Sequence, residues 1–290
     1  MATTLIPDRE APATTRRAGE TSTLRHQARA VEIVWRRELI RFFRARTRIV
    51  GGLVQPLLFL FVLGNGLSPL VGQSGSLSFT QFVFPGVIAM SVLTTAIFSA
   101  VSIVWDREWG FLREMLVAPV SRAALVTGKA LGGATVATIQ GAIMLVLAPL
   151  IGVRLVPLGV VAVLAASALM AFALAGLGIF VASHMRRIES FQVVTQVLLV
   201  PMLFLSGAMF PLQGLPGWLS VLTRCNPLTY AVDPLRRAVF IGQDLAASGR
   251  FGAGVTVLGH VLPVWAELAI VAVFGLSFLA MSIRAFGKPE

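Results

Sequence analysis

Long apolar runs separated by short polar breaks dominate the chain, at about 49 to 68, 82 to 104, 130 to 151, 158 to 182, 191 to 210 and 261 to 283. An α-helix rises 1.5 Å per residue, so each run is long enough to cover the roughly 30 Å hydrocarbon core of a bilayer. The pattern predicts an all-α polytopic membrane protein with six transmembrane helices spread over 49–283 and a short tail at 284–290. An even number of crossings puts both termini on one side.

Outside the runs the pattern changes. Residues 1–23, rich in Thr, Ala, Pro, Glu and Arg, read as a disordered tail that can bury little. Over 24–48, Leu24, Ala28, Val31, Trp35, Leu39 and Phe42 recur at spacings of three or four, while Arg25, Arg29, Arg36, Arg37, Arg44 and Arg48 fill much of the rest. That spacing predicts a basic amphipathic helix lying along the inner leaflet before the first crossing. An antimicrobial-like or calmodulin-target helix would show the same pattern. The 211–260 stretch is too interrupted by Gly, Pro, Arg and Asp to span. Its motif NPLTYAVDPLRRAVF, Asn226 to Phe240, predicts a turn at Asn226-Pro227 and then a short helix. Phe210, Leu215, Trp218 and Leu219 suggest that the part before it dips back into the outer interface as a re-entrant or extracellular helix.

Composition agrees with a bilayer setting: 56% of the 290 residues are hydrophobic and 13% charged. A net charge of +11 raises the question of nucleic acid, but no nucleic-acid module is present and the charge follows topology instead. With both termini in the cytoplasm, 19 of the 24 lysines and arginines fall inside, as the positive-inside rule favours. One cysteine, Cys225, permits neither an intrachain disulfide nor a cysteine metal site. The three histidines are widely separated, and no metal site or catalytic constellation is expected. Arginine outnumbers lysine 22 to 2, a bias of GC-rich bacterial genomes, so the expected location is a bacterial inner membrane.

The segment DREWGFLREMLVAP, Asp106 to Pro119, is a polar island between two apolar runs. On a helical wheel Trp105, Trp109, Leu112 and Leu116 lie within roughly 60° of one another. Asp106, Arg107, Gly110, Arg113 and Glu114 fill the opposite arc. A short interfacial helix over 105–117 would therefore be apolar on one side and offer the other to the cytoplasm. A solvated helical loop fits the wheel as well, but Gly110 suits a surface that another protein approaches closely, and the nearly neutral arc suits protein better than anionic lipid. Glu108 sits on the shoulder of the apolar stripe, where an arginine of the amphipathic helix is its natural partner.

The acidic-Arg-Glu-x-Gly-x-Leu run, followed by Leu-x-x-Pro and Ser121-Arg122, resembles the coupling region of permeases of type-2 ABC exporters, with the daunorubicin-resistance group looking closest. NPLTYAVDPLRRAVF resembles the family's second signature, and the likeness covers roughly 25–285. The resemblance implies a connecting helix at 24–48 and a coupling helix at 105–117 that docks on a nucleotide-binding subunit through Asp106, Arg107, Gly110, Phe111, Arg113 and Glu114. Glu108 would brace the connecting helix, and Arg186, Arg187 and Glu189 would form a second cytoplasmic contact. Many relatives carry Thr and Glu where this chain has Phe111 and Arg113, with Glu114 as the substitute acid.

No ATP site is present, because the Gly128-Lys129 pair is followed by Ala130 and preceded by Ala123 where a phosphate-binding loop needs its first Gly. The chain is thus expected to be a transport subunit and not itself an enzyme, without a cofactor of its own. ATP and Mg would be bound by two copies of a partner ATPase, and a second permease copy, identical or paralogous, would complete the exporter. Gln55, Phe59, Asn65, Phe98, Gln192, Gln196 and Phe204 are candidates to line an amphipathic cavity for a drug-like or lipid-like cargo; Phe61 is a further one. A lipid-linked glycan or other envelope precursor is the alternative cargo. An ion-coupled secondary transporter is the alternative class, although its expected buried charges are scarce. Glu267, about two turns into the last run, reads as an interfacial carboxylate.

Overall fold

The computed structural model describes residues 14–71, 73–74, 77–109, 121–212, 214–242, 254–257 and 260–286. The chain is helical almost throughout. The helices are α1 (Thr14–Arg44), α2 (Arg46–Phe59), α3 (Gly66–Val71), α4 (Phe79–Ser99), α5 (Val101–Glu108), α6 (Arg122–Leu145), α7 (Pro157–His184), α8 (Ile188–Phe204), α9 (Gly217–Cys225), α10 (Thr229–Val239) and α11 (Val264–Ala285). A π-helical turn, Leu60–Asn65, joins α2 to α3. Two antiparallel pairs of two-residue strands, Gln73–Ser74 with Leu77–Ser78 and Thr256–Val257 with His260–Val261, are the β-structure among the described residues.

Helices occupy all six apolar runs. By length and composition, three described helical stretches suffice to cross a membrane: Phe79–Glu108, Pro157–His184 and Val264–Ala285. A fourth is added if Arg25–Arg44 and Ile49–Gly64, which meet at 70°, form one broken span, and Ile188–Phe204 is apolar but shorter. Exposed apolar side chains such as Val193, Val197, Trp265 and Val273 line α8 and α11. Their number suits lipid or another apolar surface outside the bundle.

The core is built on α4, whose Phe82, Phe84, Ile88, Leu93 and Ile97 are fully buried. α6 and α7 pack against it, and α11 packs against α7. Small residues set the spacing. A Cβ at Gly132 of α6 would lie 2.7 Å from Glu38 Cβ of α1, and one at Gly275 of α11 would lie 2.7 Å from Ala173 Cα of α7, so both contacts need glycine.

Local chemistry fixes the helix starts. Ser78 and Gln81 form a reciprocal capping box at α4, with Gln81 N donating to Ser78 Oγ at 3.3 Å and Ser78 N to Gln81 Oε1 at 3.1 Å. Ser121 caps α6 by accepting from Ala124 N at 3.2 Å.

Three expectations change. α1 begins at Thr14, so the helix extends into the stretch expected to be a disordered tail. Its apolar face is not left to lipid: Val31, Trp35 and Leu39 are half-buried and Phe42 is buried, α1 packs on α6, and Trp35 Nε1 donates to Thr135 Oγ1 at 3.0 Å. Trp105 to Glu108 do not open a separate interfacial helix but form the last turn of α5, directly below the second apolar run.

Candidate functional site

Successive helical residues project about 100° apart, and the end of α5 uses that divergence. Asp106, Arg107 and Glu108 each reach a different part of the bundle. Asp106 Oδ2 accepts from Lys129 Nζ of α6 at 3.0 Å and from Arg37 Nη2 of α1 at 3.4 Å. Arg107 Nη1 donates to the carbonyls of Ser183 and Met185, both at 2.9 Å, where α7 ends. Basic groups belong at a helix C-terminus, whose last carbonyls lack partners within the helix. Glu108 Oε2 accepts from Ile188 N at 3.2 Å, where α8 starts and the unpaired N–H groups favour an anion. Three consecutive charges thereby tie α1, α6, α7 and α8 to the end of α5.

Lys129 is the centre of this knot. It is buried, its Nζ donates to Ser102 Oγ at 2.9 Å, and Ser102 Oγ donates onward to Glu38 Oε1 at 3.4 Å. Glu38 Oε1 lies 3.6 Å from Lys129 Nζ and 3.7 Å from Arg41 Nη1. One buried ammonium held by two carboxylates from different elements is a joint in which Lys129 is the buried cation, since Arg37 and Arg41, the other partners of the two acids, are more exposed. At the same end, Arg122 Nη1 donates to Phe286 O at 2.8 Å and secures the end of α11.

The structure moves the brace from Glu108 to Asp106. An arginine of α1 does reach the island, but Arg37 pairs with Asp106, because Asp106 faces α1 and α6 while Glu108 faces the start of α8. For the same reason Asp106 and Arg107, expected on an outward arc, are committed to the bundle. Trp105 and Trp109 are exposed. Gly110, Phe111, Arg113 and Glu114 lie outside the described residues. Arg186, Arg187 and Glu189 are exposed beside the Glu108 contact.

A crevice of about 410 Å³ opens above this knot. Phe98 and Gln192 of the expected cavity residues line it, together with Phe42, Gly51, Gly52, Thr94, Thr95, Val101, Trp105 and Gln140. Gln55, Phe59, Gln196 and Phe204 are not among its walls. Phe59 packs on the main core, while Gln55, Gln196 and Phe204 are exposed; the side chain of Asn65 lies outside the described set.

At the opposite end the second motif serves the structure. Asn226 Nδ2 donates to Met202 O at 2.7 Å while its Oδ1 accepts from Leu228 N at 3.1 Å, making the expected turn. Buried Arg236 donates from Nη2 to Gly207 O at 2.6 Å and lies 4.4 Å from the Phe82 ring centre. Burial lowers its pKa to about 10, with Asp233 opposing the shift, so it stays charged at neutral pH. Arg237 pairs with Asp233 and stands 3.5 Å from Glu267. Glu267 is fully buried, because α10 covers the first turn of α11.

Lys129, Glu38 and Gln140 escaped the sequence reading. The signal was present: Gln140 interrupts an apolar run, Lys129 stands directly before it, and Glu38 is an acid in an arginine-rich helix close to its apolar stripe.

A family model described as ABC-2 type transporter matches residues 29–240. Nodulation protein J of Rhizobium leguminosarum bv. viciae is 32% identical over 216 residues, 73% of this chain and 83% of that protein. Putative transport permease ycf38 of Cyanophora paradoxa is 28% identical over 213 residues, 70% and 72% of the two chains. Inner membrane transport permease YadH of Escherichia coli K12 is 27% identical over 238 residues, 79% and 90% of the two.

Proposed function

Since the chain belongs to the ABC-2 type transporter family as a membrane transport subunit, we propose that it is the permease of an ATP-driven exporter. Energy comes from two copies of a separate ATPase, which bind the ATP and Mg. A second permease copy, identical or paralogous, completes the assembly. The protein sits in a bacterial inner membrane, as the name of its relative, inner membrane transport permease YadH, supports, with six crossings and both termini cytoplasmic. The cargo is an amphipathic, drug-like or lipid-like molecule taken from the cytoplasm or inner leaflet.

The observation that carries this reading is the set of three contacts made by Asp106, Arg107 and Glu108. A segment docked on an ATPase moves transmembrane helices only if it is rigidly joined to them. The three charges make that joint to α1, α6, α7 and α8, while residues from Gly110 to Glu114 are left for the ATPase. Closure of the ATPase dimer then pushes on α5 and its neighbours together and switches a cavity between inward and outward access.

The test is reconstitution with and without the partner ATPase. Export is expected only with both the ATPase and ATP, and transport that persists without ATP would indicate an ion-coupled transporter and end this reading. In the complete system, Gly110→Trp or Glu114→Ala is expected to leave membrane insertion intact and to abolish transport while ATP hydrolysis continues.

A further inference from the structure

The crevice beside α2 has a chemical bias in its walls. Phe42, Phe98, Val101 and Trp105 supply apolar and aromatic surface, and no Lys, Arg, Asp or Glu lines it among the described residues. Its volume, about 410 Å³, is that of a small-molecule site. A charged group placed there would lose its hydration without meeting a counter-ion, because the nearby charges of Lys129, Asp106 and Glu38 are already engaged with one another.

Beside the Thr95 hydroxyl and the exposed Gln192 amide, its walls hold acceptors in want of donors. Gln140 is 1% exposed, and its Nε2 donates to Ile49 O at 3.1 Å. A carbonyl can only accept, so this bond fixes the amide orientation and leaves Oε1 as a buried acceptor with no partner. The Gly52 carbonyl lacks its usual helical donor as well, since Pro56, four residues on in α2, has no N–H. The Thr94 hydroxyl donates to Met90 O at 2.9 Å, which leaves its oxygen free to accept. Gly52 also admits Gln140 to the crevice: a Cβ there would stand 3.0 Å from Gln140 Nε2.

We infer that this crevice is a binding site for an uncharged amphiphile carrying hydroxyl or amide N–H donors, its apolar part against Phe98 and Trp105 and its donors on Gln140 Oε1 and Gly52 O. Sugar-bearing lipids and glycosides have this chemistry. Simple anionic or cationic amphiphiles do not. The inference rests on the permease reading for its meaning, since an occupant here is cargo, but binding is measurable without any ATPase.

The full chain in lipid nanodiscs is titrated with three probes of equal chain length, octyl glucoside, octyl sulfate and octyltrimethylammonium, each below its micelle concentration, with tryptophan fluorescence as the signal. Octyl glucoside is expected to bind saturably and to quench a component that Trp105→Phe removes. Gln140→Met is expected to weaken that binding about tenfold, the effect of withdrawing one buried hydrogen bond. The charged probes are expected to show only linear partition into lipid, equal in every variant. Gly51→Leu provides a second variant that leaves Gln140 intact: a Cβ at Gly51 meets nothing within 4 Å, so leucine fits the fold and fills the crevice. It is expected to abolish saturable binding. Saturable, Gln140-dependent binding of a charged probe, or absence of saturable octyl glucoside binding to the unaltered chain, overturns the inference. Neither result bears on whether export needs ATP, which the reconstitution reads separately.

Discussion

Lys129 Nζ of α6 lies 3.0 Å from Asp106 Oδ2 of α5, with both side chains largely shielded from solvent. Glu38 of α1 shares the same ammonium at 3.6 Å, so one lysine joins three helices. Removing it leaves the two carboxylates to the more exposed Arg37 and Arg41 alone. Lys129→Met is expected to destabilise the protein by about 3 kcal/mol, seen as a lower melting temperature in detergent micelles. Adding Glu38→Gln and Asp106→Asn should recover part of the loss, since the two acids that the lysine held lose their charge with it. An unchanged melting temperature in the single variant would remove Lys129 from the joint.

Arg107 makes a different kind of link, holding the carbonyls that end α7. Arg107→Ala is expected to loosen the α7–α8 turn without unfolding the bundle. Amide hydrogen exchange over 183–190 should quicken while exchange in α4 stays slow. In the reconstituted exporter the same variant should lower transport per ATP hydrolysed. Unaltered exchange at the turn would show that the contact does not restrain it.

Gly86 of α4 lies against the turn that follows α8, where an added Cβ would overlap the Ala208 carbonyl oxygen. Backbone cannot give way as a flexible side chain can. Gly86→Ala is therefore expected to cost about 3 kcal/mol and to reduce the amount of folded protein recovered from membranes. Recovery and melting at the unaltered level would contradict the packing described for this turn.

Arg236 combines a 2.6 Å bond to Gly207 O with a place over the Phe82 ring. Losing both contacts in Arg236→Leu should cost about 2 kcal/mol in thermal denaturation. Arg236→Lys should fall between, because a compact ammonium cannot satisfy both contacts with a planar fork. Equal melting of all three proteins would assign Arg236 no structural weight.

The helical class of the chain and the position of its apolar runs were legible in the sequence, because spans of that length and apolarity have few alternatives in lipid. So was the turn at Asn226-Pro227, whose residues act on their immediate neighbours. Membership of the transporter family was carried by the polar island and the later motif, both read as strings. The helical wheel set Trp105 and Trp109 apart from Asp106 and Arg107, and in the bundle the two tryptophans are exposed while those two charges turn inward. It could not say that the island's first turn belongs to α5, since a wheel has no ends.

Which charge meets which was decided by the tertiary structure. Asp106 and Glu108 are both acids in one short stretch, and the sequence offered Glu108 to an arginine of α1. Packing α1 on α6 through Gly132 puts Glu38 and Lys129 on the Asp106 side of α5, while the gap between α7 and α8 brings the N–H of Ile188 to Glu108. The same holds for the crevice: Gln140 and Gly52 are 88 positions apart in sequence, and only the bend between α1 and α2 brings them together. Hydrophobic periodicity sorts residues into buried and exposed within one element. Pairing between elements depends on crossing geometry and on where glycine allows two backbones to meet, and those are properties of the assembled bundle.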